Sequence, residues 1–384
     1  MNLGFLRALY ENQQDEPQRP MSRPMSTSGY VSVYLDVSPG TESAATEVAL
    51  RWRAARERLA AAGADEATLD ATEQAVTERV HSARGRAVFA TGGSVRLSGS
   101  MPEPPAREIS SLAPLPHVVP LLAQRPPRLA HVRVAADRRG GWVLAIPSDG
   151  AVGATDVTGE QRPVHKVSTG GWAEARLQRS AEETWADTAK RIAEAVAVAA
   201  DRVGAEFVVV GGDVRERSLV VGQLPVALSE VAVIVDREVG PDTPAFDEAT
   251  GAETARRAET ASRARLDEFR VRMDAPLGDR RAAEGLGDTL TALRDGLASD
   301  VLLDDPVWPA TAWVGPGLSA AAAERGQLTE WGITEPARDR ADAALVRAVA
   351  GTGAELHFIQ ADADGGRLHG GVAALLRAPS AALV

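Results

Sequence analysis

The central third of the chain carries an order of elements that few folds accommodate. Three short runs rich in β-branched and apolar residues, separated by glycine-bearing turns, predict an antiparallel meander. A long stretch with helical periodicity follows, and then a buried-type strand, a second helix and a last strand. The predicted strands are Leu129–Ala135, Gly141–Pro147, Ala151–Val157, Phe207–Val210 and Val231–Val235, and the second helix is Val214–Gln223. These elements predict an α/β domain over residues 126–240.

The regions on either side also alternate strands and helices, which predicts three α/β domains in all. Residues 1–28 are polar and proline-bearing after a short apolar start, and predict a disordered or extended leader. Residues 29–125 predict the N-terminal domain and residues 241–384 the C-terminal domain. The helices predicted there are Thr41–Ala62, Asp65–His81, Phe246–Met273, Thr289–Ala298 and Arg338–Ala350. The strands predicted there are Tyr30–Val37, Arg86–Thr91, Ser94–Ser98, Asp300–Leu303, Thr311–Val314, Glu355–Gln360 and Val372–Leu376.

Composition excludes several classes of protein. A net charge of −11 argues against broad, nonspecific binding of nucleic acid, so any RNA contact must come from local arginine clusters. The absence of cysteine excludes disulfides and thiolate metal sites, and fits a cytoplasmic protein. No apolar run approaches the ~20 residues of a membrane helix, so no membrane partner is expected. No spacing typical of histidine metal ligands or of nucleotide-binding loops occurs, so we predict no metal and no cofactor.

One polar loop stands out before the long helix of the central domain. Ser168 and Thr169 precede the pair Gly170-Gly171, and Trp172 follows it. Adjacent glycines at a loop tip give a surface without side chains, to which a partner can approach closely. Basic residues flank the pair, so a polyanion could approach it. Two of them, Arg176 and Arg179, are three positions apart on the predicted helix and therefore share a face.

The Gly-Gly loop with basic flanks, leading into a long arginine-bearing helix, resembles the middle domain of the archaeo-eukaryotic peptide-chain release factor and Pelota superfamily. That domain has an RNase H-like fold, whose order of elements is the one predicted here. The C-terminal domain resembles the Pelota type in Gly285–Leu303, in Ala354–Gln360 and in Gly370–Arg377. The N-terminal domain resembles bacterial members, in particular the actinobacterial branch related to the ribosome hibernation factor Balon.

The resemblance implies a ribosome-binding factor that occupies the A site and contacts ribosomal RNA at the decoding and peptidyl-transferase centres. It also implies elongation factor Tu as a partner, and a role in stress or hibernation. The residues that match the RNA-contacting loop and helix start are His165, Lys166, Ser168, Thr169, Gly170, Gly171, Trp172, Arg176 and Arg179.

The loop departs from the family at one decisive position. Release factors carry Gly-Gly-Gln, whereas Trp172 stands in the third place here. An indole has one hydrogen-bond donor and no acceptor, so we predict no catalytic residue and no peptide release. Trp172 either stacks on a base or packs beneath the loop, and His165 either contacts RNA or is a solvated loop residue. Two other functions stay open: a peptidyl-tRNA hydrolase or ribosome-rescue factor, and a protein-binding module independent of the ribosome.

Overall fold

The computed structural model describes residues 1, 3–11, 29–38, 44–78, 83–125, 127–137, 140–148, 153–158, 171–236, 243–304, 310–359 and 367–379. Within these ranges it gives the backbone alone for residues 11, 44, 153–158, 171–183 and 277. The α-helices are α1 (Arg7–Glu11), α2 (Ala44–Ala61), α3 (Glu66–Thr77), α4 (Val119–Ala123), α5 (Gly171–Val203), α6 (Val214–Gln223), α7 (Val226–Ser229), α8 (Pro244–Met273), α9 (Leu286–Arg294), α10 (Arg325–Glu330) and α11 (Ala341–Thr352).

The strands form four separate sheets. They are β1 (Tyr30–Asp36), β2 (Gly85–Thr91), β3 (Ser94–Met101), β4 (Ile109–Ala113), β5 (His131–Asp137), β6 (Gly140–Ile146), β7 (Gly153–Thr158), β8 (Phe207–Gly212), β9 (Ala232–Ile234), β10 (Ala282–Glu284), β11 (Ala298–Asp304), β12 (Thr311–Val314), β13 (Ala321–Ala322), β14 (Ala337–Arg340), β15 (Glu355–Ile359) and β16 (Val372–Leu376). The α/β class predicted from the sequence is confirmed.

The chain divides into two compact units. The first contains residues 1–125 together with residues 260–384, and the second contains residues 126–259. Helix α8 runs through the boundary, so that its residues up to Glu259 belong to the second unit. The division into a leader and three domains remains a prediction.

The second unit contains one five-stranded sheet in the order β7-β6-β5-β8-β9. Strands β5, β6 and β7 are antiparallel neighbours, whereas β5, β8 and β9 run parallel. Both faces of β8 are buried, because α5 and α6 cover one face and the start of α8 covers the other. A run of four apolar residues, Phe207 to Val210, suits such a doubly covered strand. Three antiparallel strands, a helix, a strand, a helix and a strand are the order predicted for the RNase H-like domain.

The first unit contains the other three sheets. Sheet β3-β2-β1-β4 packs one face against α2 and α3 through Trp52, Leu59 and Leu69. Its other face shares a core with helix α11, which is nearly all apolar and buried along its length. Sheet β10-β16-β11-β15 flanks that core, and the small sheet β13-β12-β14 contributes Ala312, Val314 and Ala321 to it.

The structure differs from the sequence analysis in three places. The apolar start of the stretch predicted as a leader, residues 1–28, packs in the core around α11, where Leu3, Leu6, Leu9 and Tyr10 are buried. The proline-rich stretch after Met101 contains β4 and α4, which no periodicity indicated. The start predicted for the helix Arg338–Ala350 is wrong, because residues up to Arg340 pair with β12 as β14.

Candidate nucleic-acid interface

The predicted RNA-contacting residues fall on both sides of the start of α5. His165, Lys166, Ser168, Thr169 and Gly170 lie outside the described residues. The other four lie on α5, which begins at Gly171. Gly171 and Trp172 were predicted to lie in the loop, whereas the backbone places both in the first turn of the helix. Arg176 and Arg179 follow on the same helix, as predicted.

Helix α5 is unusually long for a domain of this size. Its 33 residues extend over about 50 Å at 1.5 Å per residue. The carboxyl-terminal half is fixed to the sheet by Ala189, Ile192 and Val196, which are buried against β5, β6 and β8. The first backbone N–H groups of a helix lack intrahelical partners and carry the positive end of its dipole. The helix therefore directs a positive electrostatic end towards the residues that precede Gly171.

The sheet beneath α5 is held by a close approach of two backbones. Gly212 ends β8 with a φ of +106°, and a Cβ built there would stand 2.1 Å from the carbonyl oxygen of Ala136. The N–H of Asp213 donates to the same oxygen at 2.9 Å. The Asp213 carboxylate then accepts from the N–H of Arg215 at 3.0 Å and caps α6. The Gly211-Gly212-Asp213 turn thus serves packing and capping.

A narrow groove lies between α5 and α6 at the carboxyl end of β5. Its polar lining comes from Asp137, Thr188 and Glu216, and the Arg215 guanidinium lies 4.6 Å from the centre of the Trp185 ring. This Arg–Trp pair could not be predicted from the sequence, because the two residues lie on different helices and no short motif joins them. Two carboxylates in the lining favour a cationic group there and disfavour a phosphate.

The carboxylates at this edge do not form an assembled metal site in the described part of the chain. Among those residues, the set whose ligand atoms all lie within 4.8 Å of one another is Asp300, Glu355 and His357, in the first unit. Two of these residues already form a hydrogen bond with each other, since His357 Nε2 lies 2.9 Å from Asp300 Oδ1. Arg265 lies 3.5 Å from the same oxygen. The arrangement is an ion-pair network.

The pKa of Asp300 reflects that network. Burial alone would raise the pKa of its carboxyl group, but hydrogen bonds from His357 and Ser299, together with the Arg265 charge, lower it to about 2. A carboxylate that is this firmly paired stabilises the fold, and it leaves little capacity for a cation.

No helix among the described residues is long and apolar enough to cross a membrane.

Comparison with solved structures gives distant similarities. Archaeal translation termination factor aRF1 is 14% identical with a TM-score of 0.24, and 98% of each chain is covered. Archaeoglobus fulgidus Pelota is 14% identical with a TM-score of 0.36, and 77% of this chain and 79% of that chain are covered. An archaeal Pelota in a ribosome-bound model with ABCE1 is 13% identical with a TM-score of 0.37, covering 98% and 94%.

Sequence comparisons give the closer relationships. Two uncharacterised Mycobacterium tuberculosis proteins, from strains CDC 1551 and H37Rv, are each 32% identical over 338 residues, which is 85% of this chain and 88% of theirs. Residues 130–274 match the sequence model of bacterial archaeo-eukaryotic release factor family 2. This match spans the five-stranded sheet and helices α5 to α8. The chain belongs to the bacterial archaeo-eukaryotic release factor family, within the release factor and Pelota superfamily.

Proposed function

We propose that this protein is a cytoplasmic translation factor that binds the ribosome through the start of α5 and the residues that precede it. The observation that carries the proposal is that Gly171, the second residue of the Gly-Gly pair, begins a helix of 33 residues. Arg176 and Arg179 lie within its first three turns, and the helix dipole adds positive potential at the same end. RNA phosphates are attracted by both features. Membership of the release factor family agrees with a ribosomal partner.

Within the ribosome, we propose that the protein occupies the A site. The stretch His165–Trp172 would contact ribosomal RNA at the peptidyl-transferase centre, and the N-terminal domain would lie at the decoding centre. Elongation factor Tu is a proposed partner, and hibernation under stress is the proposed role, as in the branch related to Balon. The support for these finer assignments is the resemblance to the release factor and Pelota superfamily.

The factor is proposed to act without releasing peptide. In the family, a glutamine amide follows the two glycines, and a primary amide offers both a donor and an acceptor for a water molecule. Trp172 offers one donor, so it cannot hold a water in the same way. Base stacking is the contact that its ring supports, worth about 1–3 kcal/mol in single-strand binders.

Sedimentation with ribosomes tests the binding. Purified protein is mixed with vacant 70S ribosomes at low salt and separated on a sucrose gradient. The R176Q/R179Q variant is expected to co-migrate at least fivefold less than the wild type. A matched control, K190Q/R202Q, removes two charges from the other half of the same helix and is expected to bind normally. Failure of the wild type to co-migrate would overturn the proposal.

A peptide-release assay separates the proposed function from the enzymatic alternative. Ribosomes that carry labelled peptidyl-tRNA are incubated with the protein, and the freed peptide is measured. We expect no release above the level of buffer, and equally none from Trp172→Ala. If the wild type releases peptide and the Trp172→Ala variant does not, the protein is a hydrolase or a rescue factor. Inhibition of polyphenylalanine synthesis at stoichiometric protein is the result expected of a hibernation factor.

A further inference from the structure

A second surface with the chemistry of an RNA contact lies in the first unit, on the small sheet β13-β12-β14. Helix α10 packs on this sheet through a cluster of Ala322, Leu328 and Ile333. Two tryptophans, Trp313 on β12 and Trp331 at the end of α10, pack at the edge of the cluster and stay partly exposed. Each indole lies beneath an arginine guanidinium.

Two exposed arginines, Arg325 and Arg338, are neighbours of Trp313. Arg338 on β14 is its direct partner in the antiparallel pairing with β12, so the two side chains share one face of the sheet. Arg325, the first residue of α10, places its guanidinium 5.6 Å from the centre of the Trp313 ring. The neighbouring residues Ala312 and Val314 are buried, which directs Trp313 to the outer face.

Arg338 is held in a defined orientation. Its Nε donates to the Thr311 hydroxyl at 3.0 Å, which leaves the two terminal amino groups directed away from that bond. Neither Arg338 nor Arg325 has a carboxylate partner among the described residues. Two arginines without an ion pair beside one tryptophan form a locally basic patch. The patch contrasts with the chain as a whole, whose net charge is −11.

A similar pair extends the patch on the same small cluster. Arg294, at the end of α9, places its guanidinium 4.4 Å from the centre of the Trp331 ring. Its Nε also lies 2.7 Å from Asp295, so its charge is partly neutralised. A guanidinium stacked on a ring is fixed in plane and still presents N–H donors at its rim. The surface thus combines fixed planar cations with aromatic rings.

We propose that this face, formed by Thr311, Trp313, Arg325 and Arg338, binds the sugar–phosphate backbone of single-stranded RNA. The guanidinium fork of Arg338 matches the geometry of a phosphate, and Arg325 supplies a second phosphate contact. The exposed part of the Trp313 ring adds a surface on which a base can stack. An acidic peptide would pair with the two arginines but would make little contact with the Trp313 ring. RNA, which has both phosphates and bases, matches the arginines and the ring together. This face belongs to the first unit, whereas the Gly-Gly sequence belongs to the second. The proposed RNA contact is therefore additional to ribosome binding through α5.

Fluorescence anisotropy with a labelled uridine 12-mer tests the proposal on the full-length protein. The R325Q/R338Q variant is expected to bind about tenfold more weakly than the wild type at 50 mM salt. Because two phosphate contacts are lost, the slope of log affinity against log salt should shrink by about 1.4. The control R53Q/R107Q removes two exposed arginines of the N-terminal region and is expected to change neither value.

A second variant tests the contribution of the Trp313 ring, and a competitor tests whether the face prefers RNA to an acidic peptide. Trp313→Phe preserves an apolar ring against the α10 cluster and is expected to weaken binding two- to fivefold, with an unchanged salt slope. Thermal unfolding confirms that each variant is folded. Equal affinity of wild type and R325Q/R338Q would overturn the proposal, as would displacement of the RNA by an equal concentration of 12-residue polyglutamate. Since the probe is free RNA, either result leaves ribosome binding through α5 standing.

Discussion

The carboxylate of Asp339 accepts a hydrogen bond at 2.7 Å from the backbone N–H of Leu115, 224 residues earlier in the chain. Three residues after Asp339, the fully buried Asp342 lies 3.5 Å from the imidazole of His117. Burial alone would raise the pKa of Asp342, but its contacts with His117 and Arg340 lower it. The first and last parts of the chain are therefore joined by polar contacts as well as by a shared apolar core.

Replacing Asp339 by alanine removes the acceptor and leaves the Leu115 N–H buried without a partner. An unsatisfied buried donor costs about 1–3 kcal/mol, so Asp339→Ala should lower the free energy of unfolding by that amount. Urea denaturation measures the change. Glu335→Ala, at a nearby exposed carboxylate, is the control and should fall within about 0.5 kcal/mol of the wild type. Equal stability of the two variants would mean that this bond does not hold the unit together.

Gly212 cannot accept a side chain, because a Cβ there would stand 2.1 Å from the Ala136 carbonyl oxygen. Its φ of +106° adds strain for any other residue. Gly212→Ala should therefore destabilise the second unit by at least about 3 kcal/mol.

The control for Gly212→Ala is Gly251→Ala, in the middle of the first half of α8, where a Cβ meets nothing within 4 Å. Alanine favours a helix over glycine, so this change should stabilise by about 0.5–1 kcal/mol. Thermal unfolding of both variants measures the contrast. A soluble Gly212→Ala protein with an unchanged melting temperature would contradict the close approach of β5 and β8.

Local patterns were sufficient to predict most of the elements. The β-branched runs and their glycine turns predicted the strands of the five-stranded sheet in their order along the chain, and α6 was predicted with its observed bounds. Long-range contacts explain what was missed. Residues 3–10 look like part of a polar leader until α11, more than 300 positions later, supplies their apolar surroundings. The Arg215–Trp185 stack likewise joins two helices that no spacing rule connects.

His131 should make the stability of the second unit depend on pH. Its Nδ1 donates to the Leu129 carbonyl at 2.8 Å, and its ring stacks on Phe207 with the ring centres 5.0 Å apart. Burial lowers the pKa of His131, and the nearby Arg133 charge acts in the same direction. The folded state therefore holds the proton less tightly than the unfolded chain, whose histidine pKa is about 6.5.

The contribution of His131 should be complete above about pH 6.5 and should be lost as the pH falls towards the lower folded pKa. His131→Phe keeps the ring stacking and removes the titration, so its stability should vary less than that of the wild type between pH 7.5 and 5. Urea unfolding at each pH measures this. His369→Gln, at an exposed histidine, should follow the wild-type profile. Identical profiles for His131→Phe and wild type would contradict the role given to burial.

The absence of cysteine makes site-directed RNA cleavage the most direct test of the central claim. A single cysteine placed at residue 168 carries an iron chelate that generates hydroxyl radicals, and a matched cysteine at Val198, 70% exposed near the other end of α5, serves as the control. With vacant ribosomes, the probe in S168C should cleave large-subunit RNA at the peptidyl-transferase centre, and the probe in V198C should not cleave there. No cleavage from residue 168, or cleavage confined to the outer surface of the ribosome, would contradict the account.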